Sequence, residues 1–87
     1  LVRDANEQGL PIGIICHGGS VAITAGIVRG KRVTGSPGIK DDLVNAGGIW
    51  VDEPAFRDAN QVWGRVVADI PAFTRELVAL CVQAAGA

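Results

Sequence analysis

Methionine is absent from this chain of 87 residues, histidine occurs once, cysteine twice, and only 20% of the residues are charged. Each scarcity excludes something. Two cysteines are too few for a disulfide framework, and neither Cys16 nor Cys81 has metal-ligand spacing to the lone His17, so both are expected as reduced thiols with no metal site. The eight Lys and Arg are scattered against nine Asp and Glu, leaving a net charge of −1 and no basic field for nucleic acid. Apolar runs fall far short of the roughly 20 residues that span a bilayer, and no signal-peptide pattern opens the chain. The expected partner list therefore contains no nucleic acid and no membrane, and the expected location is the cytoplasm. Gly18-Gly19 lacks a following Lys-Ser/Thr and a Gly-x-Gly-x-x-Gly spacing, which argues against a phosphate loop.

Without a methionine, and opening on Leu1, the chain reads as a fragment that starts inside a folded unit. Its 48% hydrophobic content exceeds what so small a domain needs for its own core. Much of that apolar surface is expected to face polypeptide outside these 87 residues. There is no internal repeat, low-complexity tract or linker, so a single domain is expected.

What is present alternates between helical and strand patterns. Residues 1–8 read as the tail of a helix stopped by Gly9 and Pro11. Residues 12–16 are short, β-branched and apolar without alternation, the pattern of a strand covered on both faces. A helix over 20–28 ending at Gly30, a strand over 31–34, a loop over 35–38, a helix over 39–46 and a strand over 49–51 follow. A hairpin is predicted from Phe56-Arg57 and residues 61–66 around a three-residue loop, Asp58-Ala-Asn60. The closing helix starts with Asp69 as N-cap and Pro71 in its first turn, and Ile70, Phe73, Leu77, Leu80, Cys81 and Ala84 recur at helical spacing. That order predicts an α/β protein.

The chemistry concentrates in Ile12-Gly-Ile-Ile-Cys-His-Gly-Gly19, an apolar strand ending on a cysteine, a histidine and two glycines. A strand that turns sharply into a helix lifts its last side chain to the C-terminal edge of a sheet, where open α/β folds bind ligands. A thiol attacks carbonyl carbon as the thiolate, which a helix N-terminus favours, and the backbone N–H groups of His17 and Gly18 are placed to receive an oxyanion. Imidazole can accept the thiol proton and return it to a leaving group, provided a carboxylate orients it. Cys81, in contrast, is expected in the core as part of the closing helix. Lys40-Asp41-Asp42 reads as helix-start charge rather than a metal site, and Trp50 and Trp63 as packing residues.

Taken together, Ile14-Ile-Cys-His-Gly18, Ala25-Gly26, Gly30-Lys-Arg-Val-Thr-Gly35, Ile39-Lys-Asp-Asp-Leu-Val-Asn-Ala-Gly47, Trp50-Val-Asp-Glu53, Arg65 and Asp69-Ile-Pro-Ala-Phe73 resemble the PfpI/ThiJ family of the class I glutamine amidotransferase-like fold. The resemblance covers most of the chain and matches the family's C-terminal half. It implies a flavodoxin-like three-layer sandwich with a mostly parallel sheet whose N-terminal strands lie outside this chain. Cys16 matches the family nucleophile and His17 the histidine that follows it. Two conserved glutamates, one from a neighbouring subunit and one from early in the family's chain, have no counterpart here. The resemblance further implies a homo-oligomer, dimer or hexamer, and no cofactor. Activities implied are peptide hydrolysis, removal of glyoxal adducts and conversion of methylglyoxal to lactate; the alternative is an oxidation-sensing or chaperone-like protein using Cys16 as a redox-sensitive thiol. Three departures from the family pattern stand out: Gly19 replaces a common proline and loosens the elbow, Ser36 replaces an aromatic and opens the pocket rim, and the hairpin reads Asp-Ala-Asn. Arg65 is expected at the same rim.

Overall fold

The order of elements in the computed structural model, which describes residues 1–86, is α1 (Val2–Glu7), β1 (Ile12–Ile15), α2 (Gly19–Ala25), β2 (Arg32–Val33), α3 (Lys40–Asn45), β3 (Ile49–Trp50), β4 (Ala55–Asp58), β5 (Gln61–Gly64) and α4 (Ile70–Gly86). Single 3-10 turns at Cys16–Gly18, Pro37–Ile39 and Val67–Asp69 lead into α2, α3 and α4. None of the described helices is long and apolar enough to cross a membrane.

β1 pairs in parallel with β5, with Ile12 opposite Gln61 and Ile15 opposite Gly64, and β4 adds to the far side of β5 in antiparallel sense. β2 and β3 pair in parallel as a second, two-stranded sheet. Consecutive strand residues point to opposite faces, and the burial follows that rule. Ile14 and Trp63 join Ala22, Val33, Ile39 and Leu43 in one buried cluster on the α2–α3 side. Gly13 and Gly64 face the other way, where Phe73 and Leu77 of α4 lie close. Helices thus cover both faces, as expected for a flavodoxin-like sandwich.

At the N-terminal end of β1 and β5 a polar network replaces apolar packing. Gln61, fully buried, donates from Nε2 to Asn6 Oδ1 at 3.0 Å and to Ile27 O at 3.1 Å, and accepts at Oε1 from Trp63 Nε1 at 3.0 Å. Asn60 Nδ2 reaches the same Asn6 Oδ1. This network fastens α1 to the sheet, because each of its polar atoms would otherwise be desolvated without a partner.

Several boundaries differ from the sequence reading. α2 stops at Gly26, not Gly30: Gly26 takes φ +73°, and the N–H groups of Gly26 and Ile27 turn back onto Ile23 O and Ala22 O. Ile27 and Val28 thereby leave the helix and enter the core, 5% and 1% exposed. The hairpin loop has two residues, not three, because Asp58 pairs with Gln61; Ala59 carries the turn at φ +55°. Asp69 precedes α4, but its carboxylate binds Arg65 rather than serving as an N-cap. Cys81, expected in the core, is exposed. α4 meets the sheet through Phe73, Leu77 and Leu80, so Ile70, Cys81 and Ala84 on the shoulders of that stripe remain outside.

Candidate functional site

β1 ends at Ile15, and Cys16 begins the 3-10 turn that runs straight into α2. The change of direction falls on Cys16 itself, whose φ is +56°. A left-handed backbone costs a residue with a Cβ about 1–2 kcal/mol, and such conformations concentrate where structure serves function. The thiol is half-buried and His17 beside it is exposed. The first N–H groups of a helical segment have no intrahelical acceptor, and here those groups follow directly on the thiol. A partly exposed thiol and backbone donors thus stand side by side at this junction.

Arg65 follows Gly64, and the parallel register sets Ile15 opposite Gly64, so Cys16 and Arg65 leave their strands at the same edge. The guanidinium is already engaged. Nε donates to Asp69 Oδ2 at 2.8 Å, Nη2 to Asp69 Oδ1 at 3.3 Å, and Nη1 to Asp52 Oδ1 at 3.0 Å. The hydrogen bonds from Arg65 hold the Asp69 carboxyl below the usual carboxylate range. By accepting those bonds, Asp69 and Asp52 raise the already high value of Arg65. Arg65 is therefore committed within the protein, tying the loop after β3 to the start of α4.

Gly19 and Ser36, expected at a pocket rim, are both buried. Gly19 has ordinary helical dihedrals, φ −57° and ψ −25°, so its lack of a side chain serves packing: a Cβ there would come within 2.8 Å of Ile39 Cδ1 and 3.0 Å of Leu43 Cδ2. Ser36 points its backbone N–H at Cys16 O, 3.2 Å away. A Cβ on the preceding Gly35 would stand 2.7 Å from that same oxygen. The segment after β2, read from the sequence as a loop with Ser36 at a pocket rim, thus packs on the backbone of Cys16. A Cβ at Gly38 would be 3.5 Å from His17 Nε2, which puts the same loop beside the imidazole.

Lys40 Nζ lies 5.7 Å from the Trp50 ring centre, a cation–π contact at the start of α3. Asp41 and Asp42 occupy the first turn of α3. Among the described residues no group of three or more His, Cys, Asp and Glu could hold a metal ion.

A strand, a left-handed cysteine and a helix start, set in a sheet with helices on both faces, define an α/β protein with a strand–cysteine–helix elbow. The chain belongs to the DJ-1/PfpI family, whose model matches residues 1–80. It is 46% identical over 80 residues to deglycase PH1704 of Pyrococcus horikoshii, covering 92% of this chain and 48% of the relative. Protein/nucleic acid deglycase 2 of Escherichia coli is 38% identical over 79 residues, covering 90% of this chain and 46% of the relative. Among solved structures, a two-domain protein of Anabaena variabilis with DJ-1/ThiJ/PfpI-like and ferritin-like domains superposes with a TM-score of 0.88 at 36% identity, covering 90% of this chain and 22% of that one. The chain spans about half the length of the curated relatives it matches.

Proposed function

We propose that this chain supplies the nucleophile-bearing half of a cysteine-dependent enzyme acting on a carbonyl group, in a peptide, a glyoxal adduct or a small aldehyde. The observation that carries this reading is the left-handed backbone of Cys16 at the junction of β1 and a helical turn. Two relatives bearing the name deglycase support it. In this reading His17 takes the Cys16 thiol proton, the thiolate attacks the carbonyl carbon, and the new oxyanion is received by the N–H groups of His17 and Gly18. His17 then returns the proton to the departing group of a peptide or adduct, or to the oxygen of the hemithioacetal formed from an aldehyde. The remaining half of the domain packs along the edge of β1 that has no partner strand among the described residues. Exposed Leu1, Leu10 and Val21 are apolar surface for that packing or for a dimer or hexamer.

The test is turnover of methylglyoxal, its adducts and fluorogenic peptides by the full-length protein and its Cys16→Ala variant. Loss of all turnover in Cys16→Ala is expected, and full retention would sink the enzyme reading. A second reading, a redox-sensing thiol, draws support from the partial exposure of Cys16. It predicts reversible oxidation of Cys16 by dilute peroxide in a protein that turns over none of these substrates.

A further inference from the structure

The carbonyl of Cys16 accepts a hydrogen bond from a segment twenty residues on, the Ser36 N–H at 3.2 Å. Reaching that distance brings the Gly35 backbone so close that a Cβ would lie 2.7 Å from the Cys16 oxygen, with no other atom inside 3.4 Å of it. The obstacle is main chain, which cannot swing aside as a side-chain tip can. Gly35 and Ser36 are both buried, so the contact is enclosed by packing. Cys16 meanwhile sits in a backbone well that residues with a Cβ leave unless their surroundings over-determine it.

We propose that Gly35 is a positioning residue for Cys16: its missing side chain admits the Ser36 N–H to the Cys16 carbonyl, and that clamp holds the left-handed turn that presents the thiol. Gly35 acts through the backbone of Cys16 and touches no substrate. The inference rests on Cys16 being the reactive thiol, and its test is arranged to survive failure of the enzyme reading.

The chain carries its own comparison thiol, the exposed Cys81, and its own comparison glycine. A Cβ at Gly48 would meet Val33 Cγ2 at 2.7 Å, Val28 Cγ1 at 2.9 Å and Leu43 O at 3.0 Å, equally severe crowding that does not involve Cys16. In the full-length protein, iodoacetamide labelling followed by peptide mass spectrometry gives the Cys16-to-Cys81 rate ratio, alongside Tm and, where turnover exists, kcat and KM. Gly35→Ala is expected to change that ratio at least about tenfold and to lower kcat more than KM, as displacement of a reacting group does. Gly48→Ala, matched or worse in Tm, is expected to leave the ratio within about twofold, since its crowding falls on Val33, Val28 and Leu43 rather than on the Cys16 backbone. Ser36→Pro is the second probe, for Ser36 already has φ −60°, so proline fits its backbone while removing the N–H donor. It should shift the ratio in the same direction as Gly35→Ala. A ratio unchanged in both Gly35→Ala and Ser36→Pro, or one that tracks Tm alike in Gly35→Ala and Gly48→Ala, overturns the proposal. Because the labelling ratio needs no substrate, absence of turnover would refute the enzyme reading and leave this test intact.

Discussion

Arg65 grips Asp69 with two nitrogens, Nε to Oδ2 at 2.8 Å and Nη2 to Oδ1 at 3.3 Å, across one turn of chain. Asp69 is 8% exposed, so its charge depends on that partner more than on water. Its folded-state value is lowered, so the pair's contribution is fully present above the unfolded Asp value of about 3.9 and is lost as pH falls through the lower folded value. Urea unfolding of the wild type between neutral pH and pH values below about 4 should therefore show an acid-side loss of stability. Asp69→Asn should start less stable at neutral pH and lose less on acidification. Parallel acid limbs for the two proteins would show that the pair does not couple to folding.

Thr34 Oγ1 is a buried hydroxyl with no hydrogen-bond partner among the described residues, on a residue only 1% exposed. Burying an unpaired hydroxyl costs about 1–3 kcal/mol by mutational measure. Thr34→Val keeps the shape and removes the polar atom, so it should stabilise the protein by about 1 kcal/mol. A loss of similar size in urea melts would mean that the hydroxyl has a partner beyond the described residues.

Trp63 and Gln61 are both fully buried, and the indole N–H is the donor to Gln61 Oε1. Trp63→Phe removes that donor and part of the ring, and should cost about 3 kcal/mol from an unpaired acceptor and a small cavity combined. Restoring packing without the donor would leave the polar part of the loss. Chemical denaturation of Trp63→Phe alone and with Gln61→Leu measures it: the double variant should lose less than the sum of the singles.

Ala59 alone of the two hairpin loop residues takes a positive φ, +55°. Glycine reaches that conformation without the Cβ penalty, so Ala59→Gly should raise Tm, with a gain of up to about 1 kcal/mol. An unchanged or lower Tm would show that the unfolded-state entropy of glycine offsets the relief.

The local patterns of the sequence determined what depends on neighbours a few residues apart. The apolar, unalternating run before Cys16 marked β1, and Asp69-Ile-Pro71 marked the start of α4, because strand burial and helix initiation are written at short range. The same holds for the elbow, where a strand meets Cys-His-Gly-Gly. Beyond that reach the tertiary structure decided. Gly26 rather than Gly30 ends α2 because Ile27 and Val28 gain more by entering the core. Cys81 turns outward because Phe73 and Leu77 fix the roll of α4 against Gly13 and Gly64, and Leu80 rather than Cys81 is the residue buried beyond them. Arg65 is engaged by Asp52 as well as by Asp69, and the contact to Asp52, thirteen residues back, is one that only the fold brings together. Gly19 and Gly35, one read as loosening the elbow and the other only as loop, both turn out to be points of close approach, to α3 and to the Cys16 carbonyl. Such roles are set by what lies across the gap from a missing Cβ, and only the folded chain brings those atoms together.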